Sequence, residues 1–262
     1  MKAIDCAANA SKVIPALKKA GISVVIRYFG APSWKNATKS ECVALRKADL
    51  DLAAVYETTA TMMLLGHPAG VSGAKTAKAA IVVCGGPADA FIYFACDTAT
   101  ENHAAIEAYL AGAAEVLGKD KVGIYGSYDV CDHALKAHAA AKAWQTLAWS
   151  DGKRLASASL YQHNGSKEYG SLGISYDVDY VLATDVGQWG YKAPVTPPVM
   201  EPAYNRVVTF AKAYIRLNPN VHSHVEEIVH KSDKLIAIPG GTVLWALTTR
   251  GFILRTRIRK VA

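Results

Sequence analysis

The chain has 262 residues, 51% of them apolar, and a formal charge of +7 from 29 basic and 22 acidic side chains. That is enough for one large domain, or for one barrel with an appendage, and no run reaches the ~18 consecutive apolar residues of a membrane helix. The excess charge sits at the end: residues 200–262 hold 10 basic and 4 acidic residues and the first 199 hold 19 and 18, so an anionic partner is expected for the tail alone.

In chain order, Met1–Asp5 reads as a first strand and Ser11–Ala20 as a helix stopped by Gly21. SVVIRYFG (Ser23–Gly30) is the second strand, and TKSE at Thr38–Glu41 has the form of a capping box opening a helix through Lys47. DLAAVYE (Asp51–Glu57) is the third strand, followed by an Ala-rich helix over Gly70–Val83. FIYFACD (Phe91–Asp97) is too short to span a membrane and too apolar for a surface strand, so it reads as a buried fourth strand ending in a carboxylate. A helix over Glu101–Leu117, a strand at Lys121–Ser127 and a helix over Val130–Ala141 come next. Ala143–Ser150, Ala158–Asn164 and Ile174–Val181 contain strands six to eight. Such alternation predicts a parallel α/β fold of the (β/α)8 TIM-like barrel type. Eight strands in so short a stretch, against about 250 residues for a typical barrel, predict short later crossovers without full helices.

Four prolines in Tyr191–Pro202 read as a stiff linker. The division expected is therefore a barrel over 1–190, a linker over 191–202 and a small basic α+β or β module over 203–262. Within that module an amphipathic helix is expected at Tyr204–Leu217 and two strands around Thr249–Gly251. His222, Glu226 and His230 at i, i+4 and i+8 read as a solvated helix face rather than a zinc site, and Arg255, Arg257 and Arg259 as a charged ridge along a strand.

Other chemistries lack their signatures. Five cysteines at irregular spacing, with no Cys-x-x-Cys pair, read as reduced structural thiols. GxGxxG and GxxxxGK[ST] are missing, and GIYGS lacks the second glycine of a GxSxG elbow. Neither a cofactor nor a metal is expected. The N-terminus has no signal-peptide pattern, so cytoplasmic synthesis is expected.

What stands out is acids at strand ends: Asp5, Glu57, Asp97, Asp177 and Asp179. A barrel brings strand ends to one mouth. Glycosidic hydrolysis needs a carboxylic acid to protonate the leaving oxygen and a carboxylate to support the positive charge on the ring. Any one strand-end acid is more often a cap or an ion-pair partner. For Glu57 and Asp97 the uniformly apolar residues before them weigh against that reading. Tyr28, Tyr125, Trp149, Tyr161 and Trp189 near strand ends offer flat faces for sugar rings. Of Gln162 and His163 only one can point inward, and Arg27 is placed to pair with one of the acids or with substrate.

These residues resemble a known family. Ile4-Asp5, VIRYFG with Arg27-Tyr28, Glu41, AAVYE with Glu57, IYFACD, VGIYGSYDV, WQTLAWS, LYQHN and Val178-Asp179 resemble, in order and spacing, the glycoside-hydrolase-like barrel domain of bacteria and phages related to family 25 lysozymes. The resemblance covers residues 1–190 and implies a peptidoglycan glycan as target, as for a phage endolysin acting as a muramidase. Family 25 lysozymes end their fourth strand in Asp-x-Glu, and here Asp97-Thr98-Ala99 lacks that glutamate. Glu57 is then expected as proton donor, its pKa raised in an apolar pocket, with Asp97 as stabilising carboxylate and Asp5 and Asp179 tuning the two. Arg27, Tyr28, Tyr125, Trp149, Tyr161, Gln162 and Asp177 are the expected substrate contacts. A non-catalytic glycan-binding module is the alternative. The basic tail is expected on anionic wall polymers rather than nucleic acid, on a monomer held in the host cytoplasm until release to the wall.

Overall fold

The computed structural model of the chain describes residues 1–31, 34–163 and 168–190 in full and, beyond them, the backbone of seven short strands between residues 207 and 259. The chain forms two compact units, Met1–Lys192 and Ala193–Ala262.

In the first unit eight strands close into a barrel in chain order: β1 (Lys2–Asp5), β2 (Val24–Tyr28), β3 (Asp51–Tyr56), β4 (Ile92–Ala95), β5 (Val122–Gly126), β6 (Lys142–Thr146), β7 (Leu160–His163) and β8 (Asp177–Val181). The TIM-like fold is the one expected. Five helices occupy the first five crossovers: α1 (Ile14–Ala20), α2 (Lys39–Lys47), α3 (His67–Val83), α4 (His103–Leu117) and α5 (Tyr128–Lys136). The β6–β7 and β7–β8 connections have no α-helix among the described residues, as the short spacing predicts.

Local chemistry explains the ends of these helices. Gly21 takes a left-handed φ of 75° and its N–H closes on the Leu17 and Lys18 carbonyls, stopping α1. Thr38 and Glu41 form the reciprocal capping box that starts α2. Where α3 packs on α4, a Cβ on Gly70 would overlap the Tyr109 carbonyl oxygen, and one on Gly112 would overlap the His67 oxygen. Only glycine lets these two helices approach so closely.

One strand departs from the expected polarity. Strands β1 to β7 run parallel, but β8 is antiparallel to both β7 and β1. A parallel return from β7 needs a crossover, usually a helix, to bring the chain back to the opposite end of the barrel. Among the described residues that connection has no such helix, and β8 starts from the mouth at which β7 ended.

Pleat alternation divides the apolar residues between two layers. Val24, Ile26, Ala53, Val55, Tyr93, Trp144 and Leu160 fill the barrel interior. Ile4, Val25, Ala54, Phe94 and Ile124 face the helices.

The second unit is a seven-stranded antiparallel sheet in the order β11-β10-β14-β13-β12-β9-β15. Its strands are β9 (Val207–Phe210), β10 (Ala213–Arg216), β11 (Val225–Val229), β12 (Lys234–Ile238), β13 (Trp245–Thr248), β14 (Gly251–Leu254) and β15 (Ile258–Arg259). The helix expected over Tyr204–Leu217 is instead β9 and β10, because Val207, Val208, Phe210, Tyr214 and Ile215 favour a pleated sheet more than their spacing favours a helix. Glu226 likewise lies in β11, so the helix face expected to join it to His222 and His230 does not form; those two histidines lie outside the described residues. β13 and β14 pair as expected around Thr249–Gly251. The Pro-rich stretch 191–202, Arg255 and Arg257 lie outside the described residues.

Candidate functional site

At the C-terminal ends of the parallel strands is a cavity of about 200 Å³ lined by Asp5, Tyr28, Val55, Glu57, Ala95, Asp97, Tyr125, Trp144, Gln162 and Asp177. All eight strands supply it, each through an inward residue at its tip or just past it. Alternation requires this: Asp5 follows inward Ala3, Tyr28 follows Ile26, Glu57 follows Val55, and Asp97 follows Ala95. Asp177 reaches the mouth for the opposite reason. It is the first residue of antiparallel β8, directly across from Asp5, while Asp179 lies one layer deeper, across from Ala3.

Hydrogen bonds order the floor. Tyr125 Oη donates to Gln162 Oε1 (2.7 Å), and Gln162 Nε2 donates to Asp5 Oδ2 (2.8 Å). Below, Trp144 Nε1 donates to Asp179 Oδ1 (2.7 Å). Asp179 Oδ2 is buried with no hydrogen-bond donor in reach, beside the Asp5 carboxyl on the neighbouring strand. Burial pushes Asp5 up to about 7, opposed by the Gln162 hydrogen bond and assisted by the charges of Asp177 and Asp97. Asp179 is driven well above the carboxylate range by burial and then by Asp5. Burial also raises Asp177.

On the opposite wall Lys35 Nζ is 3.1 Å from Glu57 Oε2 and lies 4.9 Å from the centre of the Tyr28 ring. Glu57 thus enters the site as half of an ion pair. Asp97 is raised by burial and by the charge of Glu57, and Lys35 pulls the other way.

Seven of the eleven expected residues line one cavity: Asp5, Tyr28, Glu57, Asp97, Tyr125, Gln162 and Asp177. Asp179 supports them from beneath. Three do not join them. Arg27 points out of the barrel, because it alternates with inward Ile26 and Tyr28, and it is buried in a bidentate pair with Glu41 (2.7 and 3.2 Å). Tyr161 also faces outward, stacked on Tyr180 beneath Arg154. Trp149, 46% exposed in the loop after β6, does not line the cavity. Trp189 packs at the far end of the barrel, bridging Leu52.

Two contributors were not foreseen. Trp144 could have been found from alternation within WQTLAWS, two residues before inward Thr146. Lys35 has no local signal, since it sits in a loop whose path depends on the rest of the fold. Larger clefts of about 650 and 330 Å³ lie around Trp189 at the other end of the barrel, but each holds acids beside Arg46 or Lys142 and no converging set of strand-tip carboxylates.

Residues 15–181 match the family model described as Rv2525c-like, glycoside hydrolase-like domain. Among solved structures, the chain is similar to the Tat-secreted protein Rv2525c of Mycobacterium tuberculosis, in complex with L-tartrate. The TM-score is 0.66 at 25% identity, over 72% of this chain and 98% of that one. It is also similar in fold to an uncharacterized B. stearothermophilus protein, with a TM-score of 0.51 at 15% identity over 69% of this chain and 95% of that one. No curated protein matches the chain. With the family model spanning most of the barrel and the acidic mouth in place, the chain belongs to the family of Rv2525c-like, glycoside hydrolase-like domains.

Proposed function

We propose that the barrel hydrolyses the glycan strand of bacterial peptidoglycan, as a lysozyme-like endolysin does, using Glu57 and Asp97 across the mouth. The observation that supports this most is the convergence of four carboxylates and three aromatic rings on one small cavity. Flat rings suit sugar faces and the acids suit the bond between them. The roles are the reverse of those expected from sequence. Asp97, whose surroundings favour the protonated form, protonates the leaving oxygen. Glu57, paired with Lys35, is the carboxylate that supports the developing positive charge. Asp5 and Asp179 share a proton below and hold Gln162 and Trp144 in place. Tyr28, Tyr125 and Trp144 form the sugar-facing wall.

The test is digestion of purified peptidoglycan with the full chain, followed by mass spectrometry of the products. Muropeptides with new reducing ends are expected. A second reading, a glycan-binding module without turnover, is favoured by Asp97-Thr98-Ala99, where lytic relatives have an acid two residues on. It predicts sedimentation of the protein with cell walls and no new reducing ends. The basic residues of 203–262 support a hold on anionic wall polymers, which added salt would loosen by screening.

A further inference from the structure

Beside Glu57 stands Lys35, from the connection between β2 and α2, and an ion pair outside the barrel fixes its backbone there. Arg27 and Glu41 are both almost fully buried between β2 and α2. Arg27 Nη1 donates to the Lys35 carbonyl oxygen (3.1 Å) and to the carbonyl oxygen of Cys6, the residue after Asp5. Glu41 in turn accepts from the backbone N–H of Ala10 (2.8 Å) and of Thr38 (3.3 Å). One buried pair therefore grips the tip of β1, the start of α2 and the backbone of Lys35. Asn36, next to Lys35, exchanges two hydrogen bonds with the backbone of Ala31 (2.9 and 2.7 Å).

With its backbone held, Lys35 extends its ammonium over Tyr28 to Glu57. The ionisable groups facing Asp97 are Glu57 past β3, Asp5 on β1, the phenols of Tyr28 and Tyr125, and Lys35, with Asp177 on the same cavity wall. Among the described residues Lys35 is the one cation in that set. We propose that Lys35 is a positioning residue, set in place from outside the barrel by Arg27 and Glu41, that holds Glu57 toward Asp97 and governs the charge the two acids share. Lys35 touches Glu57, not the reacting bond, so it acts through its neighbour. The inference rests on the hydrolytic role proposed above for its activity measurement only.

The test uses the full chain with K35M, K35R and E41Q. Two quantities are followed: the carbon-13 NMR titration of the Asp97 carboxyl, and the pH dependence of reducing-end release from peptidoglycan. Removing a nearby cation makes a carboxyl harder to ionise, so in K35M the Asp97 midpoint is expected to rise by roughly one pH unit. The rate profile should move to higher pH with it, and kcat should fall about tenfold with KM within about twofold, as for a group that acts only in the transition state. K35R keeps the cation and should stay close to wild type. E41Q should move Asp97 in the same direction as K35M, but by less. An Asp97 titration unchanged in K35M, or K35R behaving like K35M, would overturn the inference. A lowered melting temperature in E41Q with Asp97 unmoved would overturn the part assigned to the outer pair. If the wild type releases no reducing ends, the hydrolytic role falls, and the NMR titration still decides the role of Lys35.

Discussion

Asp5 on β1 and Asp179 on β8 meet on the inner face of antiparallel neighbours, and neither Gln162 nor Trp144 reaches the buried Asp179 Oδ2, so a proton between the two carboxyls is the arrangement expected. Both carboxyls hold protons more tightly in the folded chain than in the unfolded one, where such groups titrate near 3.8. Their favourable contribution is therefore complete below pH 3.8 and is lost as pH rises through about 7, the value for Asp5. D179N keeps an oxygen for Trp144 Nε1 and removes one of the two charges. Urea unfolding at pH 5 and pH 8 should show a flatter dependence for the variant, which should exceed wild type at pH 8 by roughly 1–3 kcal/mol. A parallel fall in both proteins would mean that no proton is shared.

Amide replacement separates the two acids at the mouth. D97N removes the proton donor and should lower kcat by about 10²-fold or more, since general acid catalysis contributes on that scale. It should also abolish the alkaline limb of the pH–rate profile. E57Q should be equally slow but retain that limb. Reducing-end release from pH 4 to 9 measures both, and an active D97N would return the donor role to Glu57.

Tight packing of α3 on α4 gives a prediction in which two effects oppose each other. Alanine for glycine inside a helix is worth about 1 kcal/mol in propensity, whereas an overpacked crossing costs typically about 1–3 kcal/mol. The added methyl in G70A or G112A would meet backbone carbonyl oxygen, which cannot rotate away. Each variant should therefore melt lower than wild type by calorimetry. The double variant should lose less than the sum, because both methyls part the same pair of helices.

All five cysteines are buried and free. Burial pushes the Cys6 thiol up to about 12 and Cys96 up to about 11, and it raises Cys42, Cys84 and Cys131 as well. Thiolate is the reactive form. A chromogenic disulfide reagent at pH 8 should find almost no thiol in the native protein and five after denaturation. Rapid reaction of even one in the native state would contradict this packing.

Some residues could be assigned from their neighbours in the chain, and others could not. The capping box at Thr38–Glu41, the stop at Gly21 and the acids closing apolar strands are local patterns, and alternation carries Glu57 and Asp97 inward once the barrel is assumed. The same alternation, applied to VIRYFG, turns Arg27 outward with Tyr28 inward; both were expected at the substrate, and only one alternative face was available to each. β9 and β10 of the second unit lie where a helix is expected over Tyr204–Leu217, because an amphipathic spacing in a short stretch does not distinguish period 3.6 from period 2 when β-branched and aromatic residues carry it.

Sequence alone determined that this chain closes a barrel and gathers acids at one mouth, because strand periodicity and helix ends are set by neighbours a few residues apart. Tertiary structure decided the polarity of β8, and with it which end of that strand brings Asp177 beside Asp5. It also decided that Lys35 reaches Glu57 and that Arg27 serves Glu41. Those pairings join residues from different strands and loops, and distance in space, which governs how charges and protons are shared, is not written in their spacing along the chain.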